Sequence, residues 1–305
     1  MFSVSFWGTR GSIPCPGRST VIFGGNTACI EIRAGEQLVI VDMGTGIKPL
    51  GDRLMSPEQR KKGPINADIF ISHTHMDHIV GFAMFGPLFD PATKLRIRGP
   101  VSFENDTLEA VLGAQLSYRY WPVRLDEFFA QIEYDQLRET TLDLGGGLSV
   151  TTKYLNHPIL CLGYRFEYQG KSIVTAFDHE PFYNLFPTDP AQPGYDADIA
   201  REGELAARKE NEKILKFYQD ADILVHDTQY TDPEYETRLG WGHSSYEYAI
   251  ESGMRTHVKK LILYHHDPNR TDQQLEDLET GYRGSFKDKT SMEIIMAREG
   301  MILEA

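Results

Sequence analysis

The segment His73-Thr74-His75-Met76-Asp77-His78 concentrates four metal-ligand side chains in six residues. It follows the apolar run Ala67-Asp68-Ile69-Phe70-Ile71-Ser72, which reads as a strand. Alternate residues of a strand project to one side, so His73 and His75 can converge on one point. Asp77 and His78 come after the turn and can face a second point close by. Imidazole and carboxylate ligands at this density suit zinc, manganese or iron, and two adjacent ions suit hydrolysis. The bland alternative is a polar strand-end turn without metal, and the strand context decides between them.

A dinuclear site needs ligands from more than one loop, so other strand ends should contribute. His157 follows Tyr154-Leu155-Asn156 and precedes Pro158, which stops a strand. Asp178 ends the run Ile173-Val174-Thr175-Ala176-Phe177, and His265-His266 ends Leu261-Ile262-Leu263-Tyr264. Each is an ionisable residue where an apolar strand meets a loop, the usual place for a site on a rigid scaffold. Taken singly, each could be an ordinary hydrogen-bonded polar residue. Together with the His73–His78 cluster they form a candidate set.

Those strands need a scaffold. Strand-like runs cover 2–7, 27–34 and 37–43, the last two joined at Gly35-Glu36, and a helix is expected after Gly44-Thr45-Gly46. A buried helix should start after His78, and 94–99 alternates as a half-buried strand. Between 103 and 145 the reading is one helix and an irregular aromatic-rich stretch. Strands follow at 148–155, 162–169 and 171–177, then a helix over 198–219. A β-α-β run covers 222–226, 245–257 and 260–265, and a helix at 271–280 and a short final strand close the chain. The expectation is a layered α/β (α+β) arrangement, two sheets covered by helices. It is read as a single domain over 1–305, with insertions near 101–145 and 181–220.

Composition narrows the class. The chain has 305 residues, 41% hydrophobic and 25% charged, ordinary for a globular protein. No apolar run approaches bilayer-spanning length, and the start lacks a signal-peptide pattern. Three cysteines (Cys15, Cys29, Cys161) argue against a disulfide framework and for a reducing, cytoplasmic setting. Cys15 and Cys161 could lie near a metal, but small buried roles are expected. With 44 acidic against 31 basic residues the net charge is −13. Long nucleic acids are gripped through Lys and Arg, so this balance argues against them and for a small phosphate ester drawn in by the metals.

The pattern resembles the metallo-β-lactamase-fold hydrolases over nearly the whole chain, and within them the phosphodiesterase branch. That branch includes transfer-RNA 3′-processing endonucleases, the phosphonate-pathway phosphodiesterase and some cyclic-nucleotide phosphodiesterases. Trp7-Gly8-Thr9-Arg10-Gly11-Ser12-Ile13-Pro14 resembles its glycine-rich first turn. Asn26-Thr27-Ala28-Cys29 and Val41-Asp42-Met43-Gly44-Thr45-Gly46 resemble the next two signatures. The resemblance implies an αββα sandwich and two divalent ions, zinc first, manganese or iron as alternatives. It implies His73, His75 and His157 on one metal, Asp77, His78 and His265 on the other, and Asp178 between them. His266 is the alternative to His265, His179 is expected to be outer-shell or exposed, and Asp42 should orient ligands from behind. A homodimer is common in such relatives.

Two further segments bear on the reaction. His226-Asp227-Thr228 resembles the His-Glu-Ala-Thr segment of the endonucleases, with Asp227 one methylene shorter. Gly242-His243-Ser244-Ser245 resembles their His-Ser-Thr segment. The resemblance implies that His243, oriented by Asp227, protonates the departing oxygen, and Asp77 is counted with them as catalytic. The plainer reading makes Ser244 or Ser245 a helix cap. The expected activity is hydrolysis of a small phosphodiester such as a cyclic nucleotide. The alternatives are a lactone or thioester hydrolase, which does not need the Asp227/His243 pair, and a transfer-RNA 3′-end endonuclease, for which no Gly/Lys-rich projecting arm is found. A metal-stabilised, non-enzymatic module and a flavodiiron oxidoreductase fit less well, the first because the ligand set is complete, the second because no flavin domain follows. Aromatics in 118–133 (Tyr118, Tyr120, Trp121, Phe128, Phe129) are expected to pack a subdomain rather than stack on substrate.

Overall fold

The computed structural model describes residues 1–100, 104 and 106–305. Six strands open the chain: β1 (Phe2–Gly8), β2 (Cys29–Ala34), β3 (Gln37–Val41), β4 (Asn66–Phe70), β5 (Lys94–Pro100) and β6 (Gln131–Leu137). They lie side by side in that order. The next seven build a second sheet: β7 (Thr141–Asp143), β8 (Leu148–Leu155), β9 (Cys161–Tyr168), β10 (Lys171–Ala176), β11 (Ile223–Asp227), β12 (Lys260–Tyr264) and β13 (Glu293–Met296). The last strand, β14 (Ile302–Glu304), returns to the first sheet beside β1.

Alternation explains why these strands read as nearly continuous apolar runs. In β3, Val39 and Val41 face the core between the sheets, while Leu38 and Ile40 face the outer layer. In β12, Ile262 and Tyr264 point inward and Leu261 and Leu263 outward. A strand covered on both faces has no polar side to show. The outer layer of the first sheet includes α1 (Ile47–Leu54), the short α2 (Pro57–Arg60) and α3 (Met76–Ile79), and α4 (Leu108–Ala114). The second sheet is covered by α5 (Ala197–Tyr218), α7 (Tyr246–Arg255) and α8 (Asp272–Phe286), with a one-turn α6 (Asp232–Tyr235) between β11 and α7. The result is the αββα sandwich that the resemblance implied.

Strand direction brings the ligands together. β3, β4 and β5 run parallel, as do β10, β11 and β12. β8 is antiparallel to β9, which is antiparallel to β10, so β8 shares their direction. The residues after β3, β4, β8, β10 and β12, and the last residue of β11, gather at the carboxyl ends of these strands, where open parallel sheets bind ligands.

The structure departs from the sequence reading in several places. The strand expected to reach residue 43 stops at Val41, because Asp42 takes a left-handed φ of 63°. The stretch 103–145 holds α4 but also β6 and β7; β6 alternates exposed and half-buried residues, a weak signal at a sheet edge. Residues 103 and 105 of this stretch, like 101 and 102 before it, lie outside the described residues. β13 was likewise not expected. α8 runs on to Phe286 through Gly281 and Gly284, because Leu278, Tyr282 and Phe286 at i, i+4 spacing pack on the core. Such burial outweighs a glycine cost of about 1 kcal/mol. Packing was expected for the aromatics of 118–133; Trp121 and Phe128 do pack on the outer core, whereas Tyr118, Tyr120 and Phe129 are exposed. No helix among the described residues is long and apolar enough to cross a membrane.

Candidate metal centre

The ligand candidates begin where β4 ends. Asp77 and His78 lie within α3, a single short helical turn that begins directly after His75. His73 Nε2 and His157 Nε2 each lie 3.0 Å from His75 Nδ1. Asp178 Oδ2 lies 3.4 Å from His73 Nε2 and 3.8 Å from His157 Nε2. In the second group His78 Nε2 and His265 Nε2 are 3.2 Å apart. Asp77 Oδ2 lies 3.3 Å from the first and 3.2 Å from the second. Asp178 Oδ1 is 3.2 Å from both. One carboxylate therefore faces both groups, one oxygen to each.

These separations fit cations. Four ligands tetrahedral about zinc at about 2.0–2.1 Å sit about 3.3 Å from one another. The tautomers fit as well. Asp42 Oδ2 takes the Nδ1 side of His78 at 2.7 Å, and the Gly242 carbonyl takes that of His157 at 2.9 Å. With those protons engaged, the Nε2 lone pairs turn inward, as metal-bound histidines require. Asp178 Oδ1 is buried without a hydrogen-bond partner. The buried carboxylates Asp42, Asp77 and Asp178 make ion pairs only with histidines among the described residues. Three buried carboxylates with no Lys or Arg partner are a concentration of negative charge of the kind a divalent ion balances.

The electrostatics follow. Burial pushes the His157 imidazole down to about 4, and that of His73 well below its ordinary value. His78 goes the other way: burial opposes its charge, but Asp178, Asp77 and Asp42 together raise it well above the ordinary range. Asp77 is held far below the usual carboxylate range, its burial outweighed by His78 and His265.

Backbone strain marks the same edge. Asp42 and His265 take φ of 63° and 62° directly after β3 and β12, and Asp178 takes 49° two residues after β10. Left-handed non-glycine residues cost of order 1–3 kcal/mol each and persist where the surroundings over-determine them. Gly11 is required by the centre, since a β-carbon there would lie 2.4 Å from the His265 ring.

A second constellation adjoins the first. His243 Nδ1 lies 2.9 Å from Asp227 Oδ2, which also accepts the His179 N–H at 3.2 Å. The rings of His243 and His265 stack with centroids 5.1 Å apart. Burial alone would lower the His243 imidazole, but the charge and hydrogen bond of Asp227 raise it to about 9. Ser245 does cap α7, accepting the Tyr248 N–H, so capping and placement of His243 coexist in one segment.

Every sequence-derived candidate is drawn to this edge: His73, His75, Asp77, His78, His157, Asp178 and His265 in the two groups, Asp227 and His243 beside them. His266 points elsewhere, its Nε2 donating to the Ala297 carbonyl. His179 is buried rather than exposed, its Nδ1 accepting the Asn156 N–H at 3.2 Å. Cys161 is buried with Sγ 3.8 Å from His73 Nδ1, and the three cysteines are free. Sequence reading missed three supports. The Ser12 N–H donates to Asp77 Oδ2 at 2.7 Å, and the Ser72 N–H and Oγ both donate to Asp42. Glu180 accepts the N–H groups of Gly240 and Gly242. Serines and backbone amides carry no ligand signature, and Glu180 is tied to its partners only across 60 residues of chain.

No family model matches the chain. By sequence it is similar to a ribonuclease Z of Thermoplasma acidophilum, 26% identical over 319 residues, covering 95% of this chain and 95% of that protein. Among solved structures it is similar to the metallo-β-lactamase-fold protein YhfI from Bacillus subtilis. That match has a TM-score of 0.65 and 16% identity, over 100% of this chain and 99% of the other. A diphosphatase of the PhnP family matches at a TM-score of 0.60 and 15% identity, over 100% of this chain and 98% of the other.

Proposed function

We propose that this chain, a metal-dependent hydrolase of the metallo-β-lactamase fold, is a phosphodiesterase whose substrate is a small phosphodiester. The observation that supports this most is the Asp227–His243 pair set 2.9 Å apart beside the ligand cluster. Acyl hydrolysis at such a centre needs no such pair, whereas an unactivated alkoxide leaving group needs a proton. Two divalent ions, zinc first among the candidates, would neutralise the phosphoryl oxygens and acidify the attacking water when bound by His73, His75, His157, Asp77, His78, His265 and Asp178.

The rest of the chemistry falls to the chain. Asp227 holds the Nδ1 proton of His243, fixing the ring and favouring its charged form. The Nε2 proton is then free for the departing oxygen as the phosphorus–oxygen bond breaks, a general-acid role. Ser12 and Asp42 lock Asp77 and His78 from behind, so the ligands need no reorganisation when substrate enters.

A second reading, RNA 3′-end cleavage, is favoured by the name of a relative matched over 95% of both chains. Against it stands the net charge of −13. One panel tests both. The metal-loaded protein is assayed on bis-p-nitrophenyl phosphate, cyclic nucleotides, a dinucleotide, an acyl lactone and a precursor transfer RNA. Turnover of small diesters with little salt dependence supports the first reading. Cleavage confined to the RNA and steeply lost with salt replaces it with the second, and turnover of the lactone alone removes both.

A further inference from the structure

Asp178, the carboxylate that faces both ligand groups, is followed directly by His179 and Glu180, and these two residues bracket His243. On one side of His243, the Gly242 N–H donates to Glu180 Oε2 at 2.9 Å. On the other, the Ser244 hydroxyl donates to the His179 carbonyl, and the His179 N–H donates to Asp227 Oδ2 at 3.2 Å. Asp227 Oδ2 is the atom that lies 2.9 Å from His243 Nδ1. The proposed acid is thus tied, through its neighbours and its partner, to the residues that continue from the shared ligand. The Gly242 carbonyl accepts from His157 Nδ1 at 2.9 Å, which closes the ring of contacts on the first ligand group.

Glu180 is the costly member of this arrangement. Its side chain is buried, the residue being only 2% exposed, and it makes no ion pair among the described residues. Its partners are the Gly240 N–H at 2.8 Å, the Gly242 N–H and the Tyr235 hydroxyl at 3.1 Å. A carboxylate buried among neutral donors gives up its hydration, a cost that an apolar residue would avoid. In return it supplies a rigid plane with one oxygen for each glycine amide, through bonds stronger than neutral ones. The segment it grips needs such a hold. No helix or strand covers 236–244, and Gly240 and Gly242 take left-handed φ of 86° and 85°. Glycine adopts many other conformations as readily, so the shape of this segment has to be imposed from outside.

We propose that Glu180 is a positioning residue for the acid: by holding the Gly242 amide it sets His243 where the Nε2 proton reaches the departing oxygen. This rests on the phosphodiesterase reading. Glu180 acts through Gly242 and touches none of the reacting atoms. A misplacement of about 1 Å in a reacting group costs about 10²-fold in rate. The loss falls on leaving groups that need a proton. An alkoxide is one of these, whereas p-nitrophenolate departs as a stable anion.

The test is Glu180→Gln, which keeps the size of the side chain but turns an amide NH2 toward one of the two glycine N–H groups. On the metal-loaded protein, kcat for a dinucleotide is expected to fall about 10–100-fold with KM little changed. For bis-p-nitrophenyl phosphate it falls less than about threefold, and the metal content stays as it was. A variant damaged in its fold or its ion binding loses both activities together. Equal loss on the two substrates therefore overturns the positioning role, as does full activity on both. Should the amide variant not fold, Glu180→Asp, which keeps the charge but reaches one methylene less, is read in the same way. A second readout needs no turnover. The Nδ1 proton of His243, held by Asp227, should give a low-field NMR resonance that disappears in the variant. Exchange of the Gly240 or Gly242 amide should quicken about tenfold or more. An unchanged resonance overturns the positioning role. If the resonance is lost as expected but the unaltered protein hydrolyses neither diester, the positioning stands and the proposed activity falls.

Discussion

The carboxylate of Asp227 lies with Oδ2 2.9 Å from Nδ1 of His243, although an aspartate reaches one methylene less far than a glutamate would. The shortfall is met by the backbone. Asp227 is the last residue of β11, fully buried, and β11 pairs with β12 so that Asp227 stands opposite Tyr264, next to His265. Its other oxygen lies 3.9 Å from His265 Nδ1. One carboxylate therefore sits behind both the proposed acid and a ligand candidate.

Removing the acid should separate turnover from metal binding. His243→Ala is expected to lower kcat on an unactivated diester by about 10²–10⁴-fold while elemental analysis finds the metal content unchanged. Undiminished hydrolysis by the purified variant would remove His243 from the reaction. Asp227→Asn should cost activity too, with some loss of metal affinity because of its position behind His265.

Asp178 faces both ligand groups, so its loss is predicted to act differently. Asp178→Ala should lose metal and turnover together, and a chelator should reproduce that phenotype in the unaltered protein. Bound ions stabilise the folded state by mass action, about 4 kcal/mol when ligand is at a thousand times Kd. Thermal unfolding with and without chelator reads this directly. An unchanged midpoint would argue that the cluster holds no ion.

Gly242 offers a steric probe. A β-carbon there would lie 2.3 Å from His157 Nδ1, and φ is 85°. Gly242→Ala is expected to displace His157 and reduce metal content and activity. Gly240→Ala shares the backbone cost, about 1–2 kcal/mol, but its β-carbon meets only the Tyr183 hydroxyl at 3.3 Å. Metal content should survive in that variant. Equal metal loss in both would trace the effect to the backbone instead.

Far from the site, Asp222 makes a pH-dependent contribution. Burial raises its carboxyl, but hydrogen bonds from Lys259, the Ser172 amide and Lys171 outweigh this and hold it below its ordinary value. A carboxylate depressed in the folded state binds protons more readily when unfolded. Its stabilisation is complete above the unfolded value of about 4 and is lost as pH falls through the folded one. Asp222→Asn should lower stability by about 1 kcal/mol at neutral pH, about 2 °C in midpoint for a chain of this size. The gap between the two proteins should close as pH falls below about 4. A constant gap across that range would assign the effect to packing.

Local chemistry made much of this legible. Runs such as Leu148–Leu155 announced their strands, because apolar alternation and turn residues are local properties. The ligand types at strand ends were equally readable, since histidine and aspartate have few other reasons to gather there. β6 was not legible, because at its sheet edge it alternates exposed and half-buried residues, and β13, though apolar, is only four residues long, too short a run to show a period. The reach of α8 past Gly281 was hidden as well, since the packing that sustains it comes from residues distant in sequence.

From the sequence alone follow the element types, the layered class and the side chains able to bind metal. Only the tertiary structure decides that His265 rather than His266 turns inward. It decides equally that Asp178 divides its oxygens between two groups and that Glu180 accepts the amides of Gly240 and Gly242. The reason is range: propensity and periodicity act over a few residues, whereas each of these choices depends on groups that meet only when separate strands end at the same edge.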